Sequence, residues 1–438
     1  MEVHIGKLRD PRMRPSLDFT KRSPKNRRVV ITGLGIVSPV GIGKEDFWDA
    51  IKEGKSGIKP ISLFNAETFP VRIAGEVCEF DPHSFFPNEA RHRLDRFSLM
   101  GLAATKLALE DAGLALRFND FESEKVSVRI GTVIGALAHA ENTHAIFIEK
   151  GARRIHPYFS SCVLPSSLAS QIGMMCGIHG SISTVVAACA SGTSAIGEAF
   201  HLIRGGHYDV AIAGASEAPI TPMVVISFAS VGLLATNNEE PTKACRPFSR
   251  NRNGIVLAEG AGIVILEDLN RALSRGANIY GEVLGYGEAF DSFHTHHPLP
   301  SGEFCAKAMS NALDDARLSP EAIGYVNPHG SASIQNDKVE TLAIKTVFGS
   351  HAYHLSASST KSMIGHSLGA CGALEFIACV LMLKHQYVHP TINMLEPDPE
   401  CDLDFVPNVG RSQTIENILT VSSGFGGYNA ACVLGNCY

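Results

Sequence analysis

The stretch Ser181–Phe200 constrains this chain more than any other. It reads Ser-Ile-Ser-Thr-Val-Val-Ala-Ala-Cys-Ala-Ser-Gly-Thr-Ser-Ala-Ile-Gly-Glu-Ala-Phe, an apolar run that stops on Cys189 and resumes at helical spacing. Val185 and Val186 are β-branched and apolar, as an interior strand requires. Ala188 to Gly192 are all small, so a tight turn is sterically open. Ala195, Ile196, Ala199, Leu202 and Ile203 then follow a helical period, and Gly205 and Gly206 end it. Asp209–Gly214 reads as the next strand, completing strand, turn, helix, strand. A cysteine at that turn sits at or near a helix N-terminus. Free N–H groups and the helix dipole stabilise a thiolate there. A thiolate attacks carbonyl carbon, and the same N–H groups can hold the resulting oxyanion. Against this, Cys189 is one of eleven cysteines, and most cysteines are inert core fillers. Other motifs must decide.

At 438 residues the chain can bury a large core, as two domains or one duplicated one. A net charge of −6 gives no footing for nucleic acid. The odd, irregularly spaced cysteines argue against a secreted disulfide framework and for a reducing cytoplasm. No membrane span is expected, since no apolar run approaches the needed length. Residues 1–27 are basic, carry Pro11, Pro15 and Pro24, and lack the apolar core of a signal peptide. They are expected to form a disordered tail.

Arg28–Pro39 opens the fold as a buried strand entering a Gly turn. Its glycines do not give the dinucleotide fingerprint G-x-G-x-x-G. A helix is expected over Arg93–Ala112, a strand over Val126–Gly135, and helical excursions over Ala136–Arg154 and Leu164–Met175. Residues 217–248 read as irregular, and Ile255–Glu267 as a buried strand. From Asn278 the alternation restarts. Strands are expected at Ile279–Gly287, Ile323–Val326 and His354–Ala357, and helices at Glu303–Ala316, Lys338–Val347 and from about His366 through Leu383. A hairpin, Leu419–Ser423 and Ala430–Leu434, closes the chain. The element order thus repeats, predicting an α/β protein of two related halves, 28–277 and 278–438, with a site at strand ends between them.

Four strand-end turns carry reactive or flexible residues: Cys189, His329, His366 and the loop Gly424–Gly427. Two histidines on glycine turns, each closing a strand, stand out among eighteen. No metal is expected, because close-set ligand pairs are missing.

Val-Val-Ala-Ala-Cys189-Ala-Ser-Gly, Asn-Pro-His329-Gly-Ser-Ala-Ser, Ser-Thr-Lys361-Ser-Met-Ile-Gly-His366 and Gly-Phe425-Gly-Gly resemble the signatures of β-ketoacyl-[acyl carrier protein] synthases. The similarity is to the elongating type of fatty acid and type II polyketide synthesis, and spans about Arg28 to Gly435. It implies a thiolase-like fold with a five-layered α-β-α-β-α core. It also implies decarboxylative condensation of an acyl group on Cys189 with malonyl-[acyl carrier protein], lengthening the chain by two carbons. By resemblance, His329 and His366 stabilise the enolate, while Lys361 and Glu375 orient the site. Cys189 and Phe425 N–H groups form the oxyanion hole, with Phe425 a gate flanked by Gly424 and Gly426. Ser331 and Ser333 bind the pantetheine arm.

No cofactor is implied, since the substrates ride on the phosphopantetheine of acyl carrier protein. The implied partners are that carrier and either a second copy or a ketosynthase-like chain-length subunit; nucleic acid and membrane are not expected. Two alternatives remain: an acyltransferase, and a non-catalytic chain-length partner subunit. Ser423, Tyr428, Asn253 and the cluster His294, His296 and His297 depart from common family residues. These departures point towards a specialised, polyketide-type synthase. Arg153, Arg154, Arg246, Arg250 and Arg252 are candidates for a basic patch facing an acidic carrier.

Overall fold

The computed structural model describes residues 27–86 and 94–437. The tail expected over 1–27 lies outside the described residues, except for Arg27, which pairs with Asp209 at 2.6 Å. Arg93, expected to open a helix, also lies outside. The observed helix runs Arg96–Asp111, and Asp95 caps it by accepting the N–H of Phe97.

Ten strands lie along one sheet path, and Gly41–Ile42 pairs on its side as an eleventh. Five strands come from the N-terminal half: Val29–Ser38, Val126–Gly131, Ile182–Val185, Val210–Glu217 and Gly260–Asp268. Five come from the C-terminal half: Gly281–Phe290, Tyr325–Asn327, Ser356–Ala357, Asn417–Gly424 and Tyr428–Gly435. Counted within its own half, each set has the spatial order third, second, fourth, fifth, first. The senses also match. The second strand lies parallel to the third and fourth, and the fifth runs antiparallel to the fourth and first. The halves join where Val29–Ile31 pairs antiparallel with Gly281–Val283.

Five layers result. Helix Arg96–Asp111 covers the outer face of the first half-sheet, and Glu303–Ala316 with Asn336–Phe348 covers that of the second. Helices Ser191–Arg204 and Cys371–His385 lie between the half-sheets. They cross in close contact, because a Cβ on Gly192 would stand 2.7 Å from the Ala373 nitrogen, and one on Gly372 2.1 Å from Thr193 Oγ1. Every residue from Cys371 to Leu383 is buried, as expected of a helix apolar on all sides. Each large apolar side chain there contributes roughly 1.5–3 kcal/mol by leaving water.

That central helix corrects the expectation that no stretch reaches membrane-span length. Leu368–His385 is long and apolar enough, but 89% of it is buried inside the protein. Strand Ile182–Val185 is a second correction: it lies at the end of the sheet path rather than in its interior. Its residues are half-buried and Val186 is 54% exposed. β-Branched residues suit an edge as well as a centre, so composition did not separate the two.

Residues 217–248 are less irregular than expected, since Pro222–Ser230 is a helix with proline in its first turn and Thr221 as its cap. Its Met-Val-Val-Ile run masks the helical signal, because β-branched residues are poor helix formers. The strand expected from Ile255 begins only at Gly260, and Leu257 instead makes an isolated bridge to His366.

Candidate active site

Cys189 lies two residues before helix Ser191–Arg204, at the C-terminal end of the third strand of its half. The turn is strained at Ala188, whose φ is 47°. Ser191 holds it closed: its hydroxyl donates to the Ala188 carbonyl at 2.6 Å and accepts the Ala187 N–H at 2.8 Å. The terminal hairpin abuts this turn from the other half. A Cβ on Gly424 would stand 2.8 Å from the Cys189 nitrogen, so only glycine lets the two backbones approach. The Phe425 N–H lies on the side of the Cys189 thiol and favours its anion.

Burial pushes that thiol up to about 12, against the pull of the Lys361 ammonium and the Phe425 N–H. At rest the Cys189 side chain is therefore a thiol. The thiolate expected from the helix N-terminus is disfavoured because losing water costs the anion more than these donors return.

The C-terminal half supplies the facing groups. His329 follows strand Tyr325–Asn327, and His366 follows the turn after Ser356–Ala357. Their rings meet edge to face, with centroids 5.3 Å apart. Lys361 is wholly buried, and its ammonium donates to three acceptors: Glu375 Oε1 at 2.5 Å, the His329 carbonyl at 2.6 Å and His329 Nδ1 at 3.3 Å. Burial pushes Glu375 up to about 7, whereas Glu375 holds Lys361 above its usual value despite burial. The ammonium is thus the firmly charged member.

His366 Nδ1 accepts the Leu368 N–H at 3.1 Å. Because Nδ1 is an acceptor in both histidines, the ring proton of each neutral imidazole is assigned to Nε2. Burial, then the Lys361 charge, lowers His366 to about 3 and holds His329 well below its ordinary value. Both rings are therefore neutral hydrogen-bond donors.

A cavity of about 220 Å³ reaches Cys189, His329, His366, Ser331, Ser333 and Phe425. Ser331 and Ser333 also shape their own loop: Ser331 Oγ accepts the Ser333 N–H, and Ser333 Oγ the Asn336 N–H. The Phe425 ring stacks on Phe228 and meets the edge of His296, while Gly426 and Gly427 take φ of 79° and 100°. Lys361 and Glu375 stand behind the histidines, so all sequence-derived site residues gather in one region.

Two buried carboxylates escaped the sequence reading. Glu340 accepts the N–H groups of His329 and Gly330, at 2.5 and 2.8 Å, and burial pushes it up to about 8. Glu217 accepts the N–H groups of Val133, Ile134 and Gly369, and is pushed up to about 7 for the same reason. The signal for Glu217 was a carboxylate closing an otherwise uncharged strand, Val210–Glu217. One basic-patch candidate is corrected: Arg252 is buried, bonded to Asp398 at 2.6 Å and near Asp337 at 3.6 Å, so it serves the interior.

A thiol and two neutral imidazoles, contributed by opposite halves of a duplicated α/β core, define a thiolase-like acyl-transfer site. The family models for the N-terminal and C-terminal domains of beta-ketoacyl synthase match residues 26–272 and 280–395. The chain is 41% identical over 405 residues to a 3-oxoacyl-[acyl-carrier-protein] synthase 2 from Synechocystis sp., covering 92% of this chain and 97% of that one. It is 42% identical over 419 residues to a Streptomyces cyaneus protein named as a polyketide beta-ketoacyl synthase, covering 93% and 98%. Among solved structures, one shows a type II polyketide synthase acyl-carrier protein in complex with its ketosynthase bound to the hexaketide. It superposes with a TM-score of 0.86 at 38% identity, over 94% of this chain and 100% of that one. The ishigamide ketosynthase/chain length factor gives 0.87 at 33% identity, over 94% and 100%. The chain belongs to the β-ketoacyl synthase family.

Proposed function

We propose that this protein is an elongating β-ketoacyl-[acyl carrier protein] synthase. The carrying observation is the pair of neutral Nε2–H imidazoles in one cavity with a buried thiol. An acyl thioester on carrier pantetheine transfers to Cys189, whose proton ends on the departing pantetheine thiol. The Cys189 and Phe425 N–H groups hold the oxyanion. Malonyl thioester then enters along Ser331 and Ser333, past the Phe425 gate between Gly424 and Gly426. Its carboxylate leaves as CO₂, and the enolate oxygen is held by His329 and His366. The enolate carbon attacks the acyl carbonyl, the new C–C bond forms, and Cys189 leaves and regains a proton. Lys361, held by Glu375, keeps His329 in its donor tautomer. No redox cofactor or metal takes part.

Polyketide elongation is favoured over fatty acid elongation by Ser423, Tyr428 and the cluster His294, His296 and His297, whose departures from common family residues suit a specialised synthase. The same roles extend to the two halves as units, 28–277 carrying the nucleophile and 278–438 the histidines. The partners are an acyl carrier protein and a second ketosynthase-like chain, identical or a chain-length subunit. Support for the second chain comes from the edge strand Ile182–Val185 and from Val186, Met174, Phe147 and Ile148, all large, apolar and exposed. The odd count of eleven irregularly spaced cysteines supports a reducing cytoplasm as the compartment.

The test is intact-protein mass spectrometry after incubation with a panel of acyl-carrier proteins, then malonyl-carrier protein. The expected result is an acyl adduct on Cys189 and carrier-bound products two carbons longer. An adduct that never extends, with a partner chain present, indicates an acyltransferase. No adduct from any donor indicates a non-catalytic subunit.

A further inference from the structure

The loops carrying His329 and Lys361 rest on a third buried histidine that the reaction does not use. His389 is fully buried in the segment following strand Tyr387–Val388. Its Nδ1 stands 3.0 Å from the Pro390 carbonyl, which can only accept, so this nitrogen carries the ring proton. Nε2 is then an acceptor, and Thr360 Oγ1 donates to it at 3.0 Å. Thr360 Oγ1 in turn accepts from Asn327 Nδ2 at 3.3 Å, and Asn327 Oδ1 accepts the Thr420 hydroxyl at 3.1 Å. The polarity of the whole chain of bonds is thereby set by one tautomer, opposite to that of His329 and His366.

The ring's third contact is Ser358 Oγ, at 3.2 Å from Nδ1, which also meets the Tyr325 hydroxyl at 2.8 Å. Neighbouring residues tie the same two loops. Thr391 Oγ1 accepts the Ser359 N–H at 2.9 Å, and Ser359 Oγ donates to the Gly330 carbonyl at 2.7 Å. Asn327 lies two residues before His329, and Thr360 immediately before Lys361. A ring that fixes both therefore fixes the distance between the His329 imidazole and the ammonium that sets its tautomer. Burial lowers His389 to about 4, so the ring is neutral at ordinary pH and its acceptor stays available.

We infer that His389 is a positioning residue for decarboxylation, locking the His329 and Lys361 loops together through Thr360 and Asn327. It acts on the C-terminal half and has no bond to the Cys189 turn. The inference rests on the proposed condensing function, and its signature is an unequal effect on the two half-reactions. In full-length protein, His389→Ala should slow malonyl-carrier decarboxylation about tenfold, because a buried donor and acceptor lose their partner. Acylation of Cys189 should stay within about twofold. His389→Gln, which keeps an acceptor and a donor, should restore most of the loss. Thr360→Val breaks the same relay with little change of volume, and serves if His389→Ala is insoluble.

Hydrogen exchange on the same variants supplies a readout independent of the chemistry. Amides of 327–331 and 358–364 should exchange about tenfold faster, while those of 187–192 keep their protection. If the wild type decarboxylates nothing, the functional reading fails, and exchange alone judges the lock. Equal losses in both half-reactions, no loss in either, or uniform loosening of all three segments would overturn the inference.

Discussion

The two halves of this protein are built on the same strand order, yet they differ in what they place at equivalent strand ends. After the third strand, the N-terminal half presents Cys189 and the C-terminal half presents Lys361 and His366. After the second strand, the N-terminal half presents Thr132–Ile134 and the C-terminal half His329. Each second-strand turn has its N–H groups gathered by a buried carboxylate, Glu217 in one case and Glu340 in the other. The scaffolding of the turns is thus shared, while the chemistry is divided. One half offers a thiol at a tight turn before a helix, and the other offers neutral imidazoles beside a buried ammonium. The repeated strand order brings the ends of the second and third strands of both halves to one cavity, with a thiol on one side and two imidazoles on the other.

The largest effect should come from the residue found in only one half. Cys189→Ala should remove the acyl adduct and cut elongation by about 10⁴-fold or more, read by intact mass and product formation. Retained adduct at another cysteine would break the assignment.

Next comes the contrast between buried carboxylates. Glu375→Ala leaves the Lys361 ammonium buried without its counter-ion, and should cost about 3–5 kcal/mol in urea unfolding. Glu217→Gln should cost less, since its partners are neutral N–H groups that an amide oxygen can still satisfy in part. Equal losses would show that the ion pair is no special feature of the C-terminal half.

Third, His329→Ala and His366→Ala should each lower malonyl decarboxylation by about 10²–10³ while the Cys189 adduct still forms within a few-fold of the normal rate. Parallel loss of both would contradict the division of labour.

The last effect is on pH, and it is the smallest when read per pH unit. His366 is lowered in the folded state, so its neutral form is what folding favours. Below an unfolded value near 6.5, protons bind the unfolded chain first, and stability falls as pH drops from there towards about 3. The stability difference between wild type and His366→Gln should therefore shift in favour of the variant by about 1.4 kcal/mol per pH unit in that window. A flat difference between pH 6 and pH 4 would mean that the ring is not held neutral.

Much of this was legible in the chain because the site sits at strand ends marked by local chemistry. Cys189 interrupts an apolar run with small residues, and His329 and His366 sit against glycine. Helix Glu303–Ala316 begins and ends where its periodicity placed it. What stayed hidden depended on distant partners. Glu340 lies in a helix whose local pattern carries no mark of binding N–H groups eleven residues upstream. His389 acquires its role only when the segment after Val388 crosses beneath Ser358–Thr360. The edge position of Ile182–Val185 is a property of sheet order, which no local pattern encodes. The state of the Cys189 thiol follows from burial, which depends on the packing of both halves and outweighs the helix terminus.

The most direct test of the division of labour measures acyl-adduct formation and CO₂ release from malonyl-carrier protein together, in Cys189→Ala and His366→Ala. The cysteine variant should release CO₂ without taking an acyl group, and the histidine variant should take the acyl group with CO₂ release cut by about 10²–10³. Loss of both activities in either variant, with the fold intact by its unfolding transition, would contradict it.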